Sequence, residues 1–353
     1  MKSRISKVKA LLEHKQLDGV VILTDFNRRY ISGFTGSSGG LLITKDKNIL
    51  VTDFRYIEQA TSQAPQFEIV QHTKPLLDTL VEQIETAQLS NIGFESHLVS
   101  YDTFIHLNRG RHDLITLGNE IEKIRMVKDD SEIKAIDKAA QIVDDAYAHI
   151  LKIVEPGMTE KEVKAHLESQ MLHLGAEKTS FDTIVASGYR GALPHGLASN
   201  KVIEKGDMVT LDFGAYYEGY ASDITRTFAV GEPSPKMKEI YEIVLKSQET
   251  AVNQIRPGLT GKEIDTIARD VITDAGYGQY FGHSLGHGVG LNVHELPNLS
   301  QKSDQILKPN HVVTIEPGIY IEGLGGVRIE DDILITENGG RRFTNSIKDL
   351  IIL

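Results

Sequence analysis

The second half of the chain repeats itself, and that duplication limits the possible fold more than any other feature. Residues 153–163 read IVEPGMTEKEV and residues 254–264 read QIRPGLTGKEI, sharing Pro-Gly, Thr and Lys-Glu in one register. In each copy a threonine (Thr159, Thr260) stands three residues before a glutamate (Glu162, Glu263), the spacing of a reciprocal helix cap, and Pro-Gly turns the chain just ahead of it. Further on, residues 209–219 read VTLDFGAYYEG and residues 313–323 read VTIEPGIYIEG. Two copies are too few to stack as a solenoid. The pattern predicts one domain of two related halves, each with helices followed by an antiparallel hairpin.

The hairpins carry acids where a sheet should not tolerate them. Strands over 208–215 and 221–230, joined by a turn centred on Tyr217 and Glu218, would set Asp212 and Asp223 directly opposite each other, about 5 Å apart. Strands over 312–319 and 326–335, turning near Gly323, would let Glu316 and Glu330 face each other likewise. Like charges so placed repel unless a proton or a cation intervenes. If the halves pack by their shared symmetry, all four converge, and two divalent cations balance them. The chain has no cysteine, so oxygen and imidazole must supply every ligand. That set suits Mn²⁺, with Co²⁺, Fe²⁺ and Zn²⁺ open once an imidazole joins. The segment 282–290, GHSLGHGVG, offers His283 and His287 four apart. Its glycines oppose a helical site and point to backbone pressed close to a ligand.

The rest of the chain bounds the partners and the compartment. With 38 basic against 49 acidic side chains the net charge is -11, the wrong sign for a nucleic-acid binder. No apolar run reaches the length of a signal core or a membrane span. The absence of cysteine fits a reducing compartment, so a soluble, cytoplasmic protein is expected. Residues 1–122 alternate helix and strand signals, with strands near 19–23, 40–43, 48–51 and 67–70 and a helix near 56–63. Residues 27–39, NRRYISGFTGSSG, match neither a P-loop nor a dinucleotide fingerprint and read as turn. The charged stretch 119–132 holds the expected boundary, and Asp129 with Glu132 has capping-box spacing for a long helix after it.

The motifs LDFGA, SDITRT, GHGVG, TIEPG and GVRIEDD occur in this order, and with them the chain resembles the pita-bread metallopeptidases, most closely the Xaa-Pro aminopeptidase and Xaa-Pro dipeptidase branch. The resemblance implies an α+β protein of two domains, a creatinase-like α/β domain (1–122) and a pseudo-two-fold pita-bread catalytic domain (123–353). It implies Asp212, Asp223, His287, Glu316 and Glu330 as ligands of two divalent cations per subunit, with Asp223 and Glu330 bridging, and His195, His283, His294 and Arg328 around the substrate. The cations would share a hydroxide, Glu316 would carry the proton, His294 would donate to the oxyanion and Arg328 would pin a ligand carboxylate.

The implied activity is release of an N-terminal residue from peptides with proline in second position, by a homodimer. The Phe-Thr-Gly-Ser string at 34–37 leans that way, and Xaa-Pro dipeptidase is the alternative. Methionine aminopeptidase lacks so large a leading domain, and creatinase lacks the metal set. A non-catalytic binding protein of the same fold is the reading from another class, opposed by the complete ligand set and separable by metal analysis.

Overall fold

The computed structural model describes residues 2–353, and the chain divides into two compact units, one ending at Arg125 and one running from Met126 to Leu353. Among the described residues no helix is long and apolar enough to cross a membrane.

The first unit is built on a six-stranded mixed sheet, in the order Glu68–Gln71, Asn48–Thr52, Gly40–Thr44, Gly19–Ile22, Asn91–Phe94, Asp113–Thr116. Its central strands are continuous β-branched and leucine runs, as burial on both faces demands. The turn expected over 27–39 is corrected in its first part: Asp25–Ser32 is a helix, ended by Gly33 at φ 80°. Its amphipathic pattern is short and charged, so composition hid it. The Arg28 guanidinium, buried on that helix, donates to the carbonyls of Leu23, Gly36 and Gly39 and so shapes the glycine loop from within.

The second unit realises the duplication as two cores. Asp130–Ile150 and Glu160–His173 cover one face of the hairpin made by Asp207–Phe213 and Ile224–Val230, burying Val143, Leu167, Val209, Leu211, Phe213 and Phe228 together. Pro235–Gln254 and Gly261–Asp274 do the same for Val312–Ile315 and Asp331–Thr336, around Ile240, Val244, Ile264, Val313, Ile315 and Ile333. Each such side chain contributes about 1.5–3 kcal/mol on burial. Because a strand alternates faces, the residues between them, Thr210 and Asp212, Thr314 and Glu316, point away from the helices. All three capping boxes form, at Asp129–Glu132, Thr159–Glu162 and Thr260–Glu263.

The register of the first hairpin differs from the expected one. Asp212 pairs with Thr225, not with Asp223, and Tyr217 pairs with Tyr220. The turn is centred on Glu218 and Gly219, whose φ of 49° and 77° suit the tight two-residue turn that matches strand twist. Moving the turn by one residue moves the register by two, so Asp223 keeps its face and becomes the diagonal neighbour of Asp212. In the second hairpin, Ile315 pairs with Asp331 and Gly318 with Arg328, one register that sets Glu316 opposite Glu330 as expected. The halves are therefore not chemical copies: Thr225 occupies the place of Glu330, and Asp223 the place of Arg328.

One buried ion pair ties the hairpins. Arg226 donates to Asp331 Oδ1 at 2.7 Å with neither side chain exposed, and its guanidinium also reaches the Glu330 carbonyl. Burial would push the Asp331 carboxyl up, yet Arg226 and Lys348 hold it below the ordinary carboxylate range. Arg226→Met should lower unfolding free energy by about 3–5 kcal/mol, because it strands part of that charge in the core; guanidinium titration checks this, and an unchanged midpoint would mean the pair contributes nothing net.

Candidate metal centre

The site forms where the two hairpins break. Asp212 is the penultimate residue of its strand, Asp223 immediately precedes Ile224–Val230, Glu316 follows Val312–Ile315, and Glu330 sits between Gly325–Arg328 and Asp331–Thr336. His287 is the middle residue of the short strand Gly286–Gly288. These five, together with His195, His283, His294 and Arg328, line one cavity of about 540 Å³. Asp223, His287 and Glu330 each offer a ligand atom within 4.8 Å of the others, and His287 Nε2 lies 3.3 Å from Glu316 Oε1.

The electrostatics of this cluster are those of buried carboxylates crowded against one another, with Arg328 the cation that reaches Asp212. Burial, and after it Glu330, Asp212, Asp332 and Glu316, drive the Asp223 carboxyl well above its ordinary value. Burial, then Glu316 and Asp212, do the same to Glu330. Glu316 is pushed up to about 8, chiefly by burial and against the pull of Arg328. The His287 ring is driven down to about 4 by burial and by His294, so near neutrality it is an uncharged imidazole. Its close approaches to Asp223 and Glu316 are therefore not ion pairs, and its free lone pair is what a metal requires.

Unmet hydrogen-bonding capacity points the same way. Among the described residues the buried Asp212 Oδ1 and Asp223 Oδ1 have no partner, which native interiors rarely tolerate. Two neighbouring oxygens are held, since Arg328 donates to Asp212 Oδ2 at 2.5 Å and Thr225 Oγ1 to Glu330 Oε2 at 2.7 Å, while Asp332 accepts the Asp223 amide at 2.8 Å. Four carboxylates, one neutral imidazole and supporting donors fit a pair of divalent cations in charge and in ligand type.

The glycines around His287 let neighbouring backbone approach its strand closely. A Cβ on Gly286 would lie 2.1 Å from the Thr314 carbonyl oxygen, and one on Gly288 would lie 2.3 Å from that of Leu296. These contacts press His287's strand against its flanking segments. His294 packs against His287 with ring centroids 4.2 Å apart and planes tilted by 55°, and burial lowers its pKa. His283 closes one wall, its Nε2 2.9 Å from Tyr320 Oη, and is driven to about 4 by burial and Arg328.

Sequence reasoning passed over Tyr320, whose hydroxyl meets both His283 Nε2 and Arg328 Nη1 at 2.9 Å. It also missed Thr225 and the apolar wall of Phe181, Ile184, Pro194 and Leu197. Two of these were findable: Tyr320 lies four residues after Glu316 and Thr225 two after Asp223, on the same strand faces.

Residues 134–337 match Metallopeptidase family M24, and residues 4–127 match the Creatinase/Prolidase N-terminal domain. A Xaa-Pro dipeptidase of Pyrococcus horikoshii is 44% identical over 99% of this chain and 99% of its own length. The structure of a Xaa-Pro dipeptidase from Bacillus anthracis superposes with TM-score 0.98 at 50% identity, covering 100% of this chain and 99% of that one. That of an X-Pro aminopeptidase from Thermotoga maritima superposes with TM-score 0.92 at 41% identity, covering 99% of each chain.

Proposed function

Because the chain belongs to metallopeptidase family M24, with a creatinase-like first domain and a pita-bread second one, we propose that it hydrolyses the peptide bond between an N-terminal residue and a following proline. The observation that carries this reading is the convergence of Asp212, Asp223, His287, Glu316 and Glu330 on one cavity that His195, His283, His294 and Arg328 also line. The five would hold two divalent cations, with Mn²⁺ the metal we expect. What such a pair supplies is Lewis acidity toward a water and toward the scissile carbonyl.

The chain's own groups do the rest. Glu316, at the mouth of the cluster and within 3.3 Å of His287 Nε2, is the carboxylate we assign to take a proton from the water and pass it to the leaving proline nitrogen. His294, kept uncharged by burial, donates a ring N–H to the oxygen that gains charge. Arg328 is anchored on Asp212, Tyr320, Thr225 and the Pro194 carbonyl, which fixes the Asp212 carboxylate in place. His195 and His283 line the cavity that takes the substrate, and Phe181, Ile184 and Leu197 supply its apolar wall.

Acceptance of peptides that continue past the proline, the aminopeptidase reading, is supported by a second cavity of about 920 Å³ that adjoins the first at His283 and Ser284. The dipeptidase reading is favoured by the names of the Pyrococcus horikoshii and Bacillus anthracis relatives. Reconstituting chelated protein with each metal and assaying Xaa-Pro and Xaa-Pro-Xaa side by side decides: tripeptide turnover within about tenfold of the dipeptide supports the first, and inert tripeptides leave only the second. A cytoplasmic homodimer completes the proposal, and sedimentation of the purified protein tests its assembly.

A further inference from the structure

The duplicated helix starts are not equivalent, and the difference lies beside one of the substrate-facing histidines. In both copies the segment after a loop lies back across the start of the capped helix with the same hydrogen bonds. Gly157 N–H donates to Ile203 O at 2.9 Å and Gly258 N–H to Leu307 O at 3.0 Å; Lys161 N–H donates to Ser199 O at 3.2 Å and Lys262 N–H to Ser303 O at 2.8 Å. The first helical residue differs. In the second copy it is Gly261, where a Cβ would lie 2.2 Å from the Asn298 carbonyl oxygen. In the first copy it is Glu160, whose side chain is wholly buried.

That carboxylate gathers donors from both flanks of the loop that carries His195. Its Oε1 accepts from Ser187 N–H at 2.8 Å and Ser187 Oγ at 2.9 Å. Its Oε2 accepts from Ser199 N–H at 3.0 Å, from Ser199 Oγ at 2.7 Å, and from Arg190, whose other nitrogen donates to the Leu197 carbonyl at 2.9 Å. Ser187 and Arg190 precede His195; Leu197 and Ser199 follow it. The His195 imidazole itself has no hydrogen-bond partner among the described residues, so no side-chain hydrogen bond fixes its place in the cavity.

We propose that Glu160 is a positioning residue for His195: a carboxylate outside the cavity that fixes the span 187–199 at both ends and so aims the imidazole at the substrate. This rests on His195 contacting substrate. A buried charge meeting five donors is a stiff reference point, since each bond to an ionised acceptor is short and strong. A loop freed by about 1 Å can cost on the order of a hundredfold in rate.

The test is a double-mutant cycle on kcat/KM with a Xaa-Pro substrate, with thermal midpoints recorded alongside. Glu160→Ala should lower kcat/KM by about tenfold to a hundredfold, and Glu160→Gln, which keeps acceptors for the serines but loses the charge facing Arg190, should fall in between. In the His195→Ala background both losses should shrink to about twofold or less, while the shift in midpoint stays the same. If Glu160→Ala folds poorly, the Gln variant carries the cycle. An equal loss in both backgrounds would overturn the positioning role and leave Glu160 a structural group. A His195→Ala enzyme as active as the parent would instead remove the substrate contact on which the proposal stands.

Discussion

Asp223→Asn will lower hydrolysis by on the order of a thousandfold or more and, in the same protein, raise the melting temperature measured in chelator. The two effects have one origin. Asp223 lies within reach of His287 and Glu330, and its Oδ1 has no partner among the described residues. Burial and four neighbouring carboxylates make its ionised form costly in the folded chain, whereas the unfolded chain ionises freely at pH 7. The amide has the same shape and no charge to lose, so without metal the variant is the more stable protein. With metal in excess the order reverses: the parent gains about 2.7 kcal/mol at a hundredfold over Kd, and the variant, short of a ligand, gains little. Metal content by mass spectrometry and paired thermal scans read both effects. Retention of both metals with activity within tenfold of the parent would sink the assignment of Asp223 as a ligand.

Why the sequence revealed the centre but not its finer arrangement follows from how each kind of information is stored. The repeat VTLDFG/VTIEPG sets Asp212 and Glu316 at matching places because strand alternation forces every second residue away from the helices, and the structure has them so. The turn of the first hairpin was harder. Tyr217-Glu218 and Glu218-Gly219 are adjacent choices, and only the φ of 77° at Gly219 selects the second, shifting Asp223 from opposite Asp212 to diagonal. That one step hid the exchange of Thr225 and Asp223 for Glu330 and Arg328 between the halves. Contacts across distant segments left no periodic trace at all. Nothing local to Glu160 announces that Ser187 and Ser199 will meet it, and the glycines flanking His287 look the same whether backbone or ligand presses on them.

Metal affinity will climb between pH 6.5 and 8, by about tenfold per pH unit for each proton released on loading. The cavity holds Asp223, Glu330 and Glu316 with raised carboxyls, the last at about 8, so cations must displace protons to bind. His287, already driven to about 4, releases none. The same groups set the stability of chelated protein. A carboxyl raised on folding makes the native state bind more protons than the unfolded one, so stability falls as pH rises from the ordinary carboxylate range towards 8, by up to about 1.4 kcal/mol per pH unit for each proton. His283, His287 and His311, all near 4 when folded, act oppositely, and only below about 6.5, where the unfolded imidazoles protonate. The two trends offset each other in acid and separate above 6.5. Chelated protein should therefore melt at a nearly constant temperature from about pH 5 to 6.5 and progressively lower from there to 8, while loaded protein, its carboxylates neutralised by metal, should not decline. Calorimetric titration in buffers of different ionisation enthalpy counts the protons. A pH-independent affinity with no proton release would mean that these carboxylates are already ionised, and that the crowding of acids at the hairpin breaks is balanced by something other than bound cations.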